Sequence, residues 1–327
     1  MIKFLQFYRE VFVLKKILLF LTIVLSVAAL LTGCAERTKK EFLSIATGGT
    51  AGTYYPIGGA IAEILNKDVP NVTAGAESTG ATIANINMLK EGSVNLAIVQ
   101  NDIAYYALNG IEMFEGKKID NLQGIMCLYP ETCQFVTLQS SGIKSIEDLK
   151  GKRIAVGAAG SGVETNTRQI LAAYGISFED IDVQYLSFAE GANALKEGDV
   201  DAACLTAGYP TASVQDISSQ SPIRLLPISG EHADKLMQKY PFYTKITIPA
   251  GTYQGLNEDT ESLCVMAMLA TTNRTSSELG GKITAAIFKN LEKLQSVHAV
   301  GKYITKENAV KGMSLPMNNG AEDFLKK

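Results

Sequence analysis

Short, unbroken apolar runs alternate along this chain with longer segments whose apolar positions recur every three or four residues. That rhythm predicts strands alternating with helices. The runs at 44–47, 96–99, 153–156 and 202–205 read as buried strands. After the first of them, Tyr54, Ile57, Ile61, Ile64 and Leu65 fall at helical spacing and predict a helix over 53–66. Another helix is expected to run to about residue 174. An apolar strand over 263–271 precedes an amphipathic helix over 276–295.

The design is written twice. Residues 87–94 (Asn-Met-Leu-Lys-Glu-Gly-Ser-Val) and 193–200 (Asn-Ala-Leu-Lys-Glu-Gly-Asp-Val) agree at six of eight positions, 106 residues apart. Each copy closes a helix at a glycine, Gly92 or Gly198, and then enters a strand. Upstream of each copy lie a strand, a glycine-rich loop (48–52 or 157–162) and a helix. Units of this kind give parallel sheets with right-handed crossovers. The offset exceeds a solenoid repeat and fits two similar lobes. The predicted fold is therefore α/β, with two lobes, each a mostly parallel sheet flanked by helices, and a cleft between them. The alternative is one large doubly wound sheet. The chain is expected to leave lobe 1 through 135–138 and to return along 263–271. Lobe 1 then holds 42–134 and 264–327, and lobe 2 holds 135–263.

In open α/β sheets, ligands sit beyond the carboxyl ends of the strands. Here those ends fall at 47–50, 100–102, 157–162 and 206–208. Two of them run straight into helix N-termini, whose unpaired N–H groups and roughly half positive charge favour an anion. Glycine lets a ligand come close to that backbone. The candidate ligand-binding residues are Gly49, Thr50, Tyr54, Ser78, Thr79, Gln100, Asp102, Tyr105, Ser161, Gly162 and Gly208. Ser161, Thr50 and Thr53 add hydroxyl groups. Each has a plainer reading. Glycine loops also serve tight packing, and Ser78 or Thr79 is placed to cap the helix that follows. Tyr54, Tyr55, Tyr105 and Tyr106 suit either a core or a ligand wall.

Composition narrows the picture. The chain has 327 residues, 46% hydrophobic and 19% charged, as expected of one large or two medium globular domains. Four cations and one anion precede residue 34, so a formal net charge of −3 leaves the remainder at −6. An acidic body argues against nucleic-acid binding, but a small anion is held by a local field. Lys15 and Lys16 precede an apolar run over 17–31, shorter than the roughly 20 residues of a bilayer span. That is the signal-peptide pattern. Leu31-Thr32-Gly33-Cys34 resembles the bacterial lipobox. Residues 1–33 are thus expected to be a lipoprotein signal peptide, Cys34 the lipidated residue, and 34–41 a tether holding the body outside the cytoplasm at the membrane. A retained membrane anchor with an incidental cysteine is the alternative, with the same placement.

Cys127, Cys133, Cys204 and Cys264 form no Cys-x-x-Cys pair, so no metal site is expected. Cys127 and Cys133 could pair; Cys204 and Cys264 sit in apolar runs. His232 and His298 lie in polar, lysine-bearing segments and are expected to be solvated. No nucleophile elbow or zinc-protease helix is present. The loop at 48–52 lacks the end of a P-loop, and 157–162 has its glycines in the wrong order for a dinucleotide fingerprint. Glu131 and Asp102 could be paired acids, but their spacing lends no support. No enzyme and no cofactor are expected.

Seven segments carry a family resemblance. They are Thr47-Gly-Gly-Thr-Ala-Gly-Thr-Tyr-Tyr-Pro56, Val99-Gln-Asn-Asp-Ile-Ala-Tyr-Tyr106, Leu128-Tyr-Pro-Glu131, Gly160-Ser-Gly162, Val183-Gln-Tyr-Leu-Ser-Phe-Ala189, Lys239-Tyr-Pro-Phe-Tyr243 and Ile248-Pro-Ala-Gly-Thr-Tyr253. Together they resemble the TAXI family of TRAP-transporter solute-binding proteins, over about 42 to 327. The resemblance implies the type II periplasmic-binding fold, two lobes closing on a ligand. It implies a membrane permease driven by an ion gradient as partner, and glutamate, glutamine or another small carboxylate as ligand. It implies no dedicated ligand-binding arginine, a place the helix termini would fill. Tyr209 stands where relatives often carry a smaller residue, and is expected to narrow the pocket. The alternative function is a receptor that signals to a membrane kinase.

Overall fold

The structure is a computed structural model that describes residues 40–327 and, separately, positions 12, 13, 15, 16, 18–20 and 22, which are helical. The chain divides into two units, 1–40 and 41–327. The expected signal-peptide cleavage site, lipobox and Cys34 lie outside the described residues. Among the described residues no helix is long and apolar enough to cross a membrane.

The second unit opens with β1 (Glu41–Ala46), α1 (Tyr54–Asp68), β2 (Val72–Glu77), α2 (Thr82–Glu91), β3 (Leu96–Gln100) and α3 (Asn101–Asn109). The long strand β4 (Leu122–Leu138) leads into a matching set: β5 (Arg153–Ala155), α4 (Gly162–Ala173), β6 (Asp182–Gln184), α5 (Phe188–Glu197), β7 (Ala202–Ala207) and α6 (Ala212–Gln220). Then come β8 (Ile223–Leu226), α7 (Gly230–Lys239), β9 (Thr244–Ile248) and the long β10 (Thr260–Thr272). The chain ends through α8 (Ser277–Lys289), α9 (Leu291–Val297) and α10 (Asn319–Lys326).

The sheet order is β2-β1-β3-β10-β4-β7-β5-β6, with β8 on β4 and β9 on β10. Read outward from the centre, β3-β1-β2 on one side repeats as β7-β5-β6 on the other. Within each half those strands pair in parallel, as expected. The centre is different: β10 runs antiparallel to β3 and β4, and β4 antiparallel to β7. The sheet is therefore mixed, with its two halves joined by antiparallel strands. Strand β4 pairs with β10 from Leu122 to Thr132 and with β7 and β8 from Thr132 onward. Strand β10 likewise pairs with β9 at one end and with β3 at the other.

Each half buries both faces of its sheet. Leu96 and Ile98 of β3 pack into one apolar cluster with Ile57, Ile61 and Ile283, while Ala97 and Val99 pack into another with Ile86, Leu89 and Ile103. Alternate residues of a strand face opposite ways, so the two clusters lie on opposite faces. Strand β7 repeats this, with Cys204 in the cluster of Ile170 and Leu171, and Leu205 in that of Leu195 and Val214. Burial on both faces is why these strands are continuously apolar.

The duplicated segment folds alike in both places. Helices α2 and α5 each span ten residues and end at Gly92 (φ 80, ψ 19) and Gly198 (φ 80, ψ 17). Three expectations change. The single helix expected over 276–295 breaks at Asn290, whose Nδ2 donates to the Ala286 carbonyl and to Asp68 at 2.8 Å each. A short polar side chain competes for backbone groups in this way. Cys127 and Cys133 are both free and buried, in different clusters, so they do not pair. The histidines are held rather than freely solvated. His232 stacks on Tyr174 with centroids 4.3 Å apart, and His298 Nδ1 accepts from the Val300 N–H at 3.2 Å.

Candidate functional site

A cavity of about 90 Å³ lies between the halves, beyond the carboxyl ends of β1, β3 and β7. Four helices start at its wall: α1 with Thr53 and Tyr54, α2 with Ala81 and Thr82, α4 with Ser161 and Gly162, and α5 with Ser187 and Phe188. Their ends differ. The Ser161 and Ser187 hydroxyls accept from the N–H of Glu164 and Glu190, which caps α4 and α5 from within the protein. Helices α1 and α2 have no side-chain cap and no acidic residue in the first turn. Their N-terminal dipoles are left for something else to meet. Before α2, Ala81 sits at φ 71, a conformation that is strained for a residue with a Cβ.

Six of the eleven residues expected from the sequence line this cavity: Gly49, Tyr54, Thr79, Gln100, Ser161 and Gly162. The other five do not. Thr50 is exposed in the turn before α1. Ser78 is exposed, and its hydroxyl donates to the Gly48 carbonyl at 3.0 Å. Tyr105 is 38% exposed and packs on Phe242. Gly208 is covered by Val300 and Thr53, and its carbonyl accepts from the Thr53 and Thr211 hydroxyls. Asp102 is fully buried beside the cavity. Neither Ser78 nor Thr79 caps α2: Thr79 Oγ1 donates to the Thr47 carbonyl and accepts from the Ala81 N–H, fixing the loop ahead of the helix. Tyr209 does not narrow the pocket; its hydroxyl donates to the Thr247 carbonyl at 3.2 Å. Thr82, Glu131 and Phe188, which the sequence does not mark as ligand residues, are also in the wall, as is Thr206 at a strand end expected to face a ligand.

Beside the cavity the halves are tied by buried polar contacts. Asn166 on α4 accepts from Gln100 Nε2 at 2.8 Å and donates to Asp102 Oδ2 at 2.9 Å and to the Tyr243 hydroxyl at 2.8 Å. Tyr243 donates to Gln169 Oε1 at 2.8 Å. On the other flank, Thr53 Oγ1 donates to the Gly208 carbonyl at 3.1 Å. Gly162 is needed for this fit, because a Cβ there would lie 1.4 Å from Gln100 Oε1.

Two acids are buried here, and among the described residues no cation lines the cavity beside them. Burial raises Asp102 to about 6, against the opposing pull of the Ile103 N–H and Asn166. Burial raises Glu131 to about 8, with the nearby Tyr54 and Gln100 opposing and the Asp102 charge adding to the rise. Glu131 follows Pro130 in the middle of β4, where the strand passes from one half to the other. Glu131 Oε1, Gln100 Oε1 and Asp102 Oδ1 are buried with no hydrogen-bond partner. Among the described residues no group of three His, Cys, Asp or Glu is placed to hold a metal ion.

Residues 45–327 match the NMT1-like family. The alkanesulfonate-binding protein SsuA of Xanthomonas axonopodis pv. citri, bound to MOPS, is 17% identical, with 88% of this chain and 84% of that one covered at a TM-score of 0.50. PhnD1 of Prochlorococcus marinus, in complex with methylphosphonate, is 11% identical, with 81% and 91% covered at a TM-score of 0.54. At such identities the likeness is one of fold: a mixed α/β sheet flanked by helices, shared with periplasmic binding proteins.

Proposed function

This chain belongs to the NMT1-like family, and we propose that it is an extracytoplasmic solute-binding receptor rather than an enzyme. Its ligand is a small metabolite with an anionic group, of the size of an amino acid, such as glutamate, glutamine or another carboxylate. The observation that carries the reading is the cavity on which the uncapped starts of α1 and α2 converge. Backbone N–H groups and helix dipoles aimed at one small space are suited to an anionic oxygen. Residues 42–134 with 264–327 and residues 135–263 act as lobes, hinged on β4 and β10. The contacts through Asn166 and Thr53 belong to the closed form, and ligand favours that form by touching both lobes.

The partner is a membrane permease of the TRAP type, on the strength of the TAXI-like segments. Cys34 carries the lipid that holds the receptor at the membrane. A thermal-shift screen of small carboxylates, sulfonates and phosphonates tests the receptor reading, because a ligand that binds only the folded state raises the melting temperature. At least one small acid should do so, and a flat response to all of them would contradict it. Cellular uptake of that acid should stop when the ion gradient is collapsed. Uptake that depends only on ATP would reassign the partner.

A further inference from the structure

Resting on the receptor reading, we propose that Glu131 selects the ligand by accepting a hydrogen bond from a charged amino group on it, so that the ligand is dipolar and not a bare anion. The uncapped helix starts of α1 and α2 offer backbone donors to the cavity. Beside them, Glu131 Oε1 and Gln100 Oε1 are buried without a hydrogen-bond partner, on side chains only 1% exposed. The Gln100 amide is held in that orientation by its Nε2–H bond to Asn166. A carboxylate or sulfonate alone brings only acceptors at neutral pH: it can accept from a neutral Glu131 but leaves the Gln100 oxygen unmet. An ammonium group brings three donors, enough for both oxygens.

The same residue links binding to a proton. Among the described residues no Lys, Arg or His lines the cavity. The titratable groups around Glu131 are Tyr54 on α1, Asp102 on α3, Tyr129 and Cys133 on β4, and Cys264 on β10, and none is a cation. With burial holding it up to about 8, Glu131 carries its proton at pH 7 in the empty cavity. An arriving ammonium favours the carboxylate. The carboxylic acid becomes a carboxylate paired with the ammonium, and the proton leaves to solvent. Affinity then falls about tenfold for each pH unit below 8.

The test uses α-amino acids and their des-amino counterparts, titrated calorimetrically into the wild type and E131Q at pH 7, in phosphate and in Tris. Gln has the shape of the protonated acid, so the variant should melt close to the wild type. The expected result is an amino acid that binds at least tenfold more tightly than its des-amino counterpart. Its binding should release about one proton in the wild type, release none in E131Q, and weaken at least tenfold in the variant. Equal binding of the two acids, or no buffer dependence in the wild type, would overturn the role of Glu131 and leave the receptor reading standing. Binding by neither set would remove the receptor reading, and this inference with it.

Discussion

Ser161 lines the cavity, but its hydroxyl oxygen is already engaged by the Glu164 N–H at 3.2 Å. Its first duty is to cap α4. Ser161→Ala should cost about 1 kcal/mol of stability, the usual loss for an N-cap, read as a lower midpoint in urea unfolding. An unchanged midpoint would contradict the capping role. Asp102 makes a different prediction. Its carboxyl is raised to about 6 in the closed form, above the usual value near 3.8. A group raised by folding contributes stability below its unfolded pKa and loses it as pH rises through the folded one. The folded state should therefore gain stability as pH falls from about 6 to 4. Protection factors of the cavity amides, taken relative to intrinsic exchange at each pH, should rise over that window in the wild type. Asp102→Asn should remove that slope, and an equal slope in both proteins would contradict the assignment.

The elements divide into those the sequence made legible and those it did not. Strands β3 and β7 were readable because both faces are buried, which makes them unbroken apolar runs. The ends of α2 and α5 were readable because a left-handed turn there selects glycine. Gly198 has open space around the position of a Cβ, so Gly198→Ala tests that conformation alone. It should destabilise by about 1 kcal/mol. A neutral or stabilising substitution would show that the turn adopts another geometry. The antiparallel centre was not readable, since the direction of β4 and β10 depends on partners far away in sequence. The cavity was half legible for a similar reason. Glycine loops mark where backbone N–H groups gather, and those positions were found. From the sequence Glu131 stands only as a possible partner of Asp102, because a lone carboxylate in an apolar strand looks the same whether it faces a core or a ligand. Only the fold brings it beside Tyr54 at the start of α1.

At the scale of the molecule, two copies of one α/β design share a pair of long strands and face each other across a small cavity. Polar contacts that join them run through Gln100, Asn166 and Thr53 and from Gln169 Nε2 to the Tyr106 hydroxyl, and Phe242 packs on Tyr105 and Tyr106. Such an arrangement can open about β4 and β10 while each half keeps its own apolar core. Gly162 sits where the closed halves leave no room for a side chain. Native mass spectrometry of the purified wild type and Gly162→Val tests the central claim most directly. The wild type should carry one noncovalent adduct with the mass of an amino acid or a similar small acid, and the folded variant should have lost it. The same adduct on both proteins, or none on either, would contradict a cavity that clamps a small ligand between the halves.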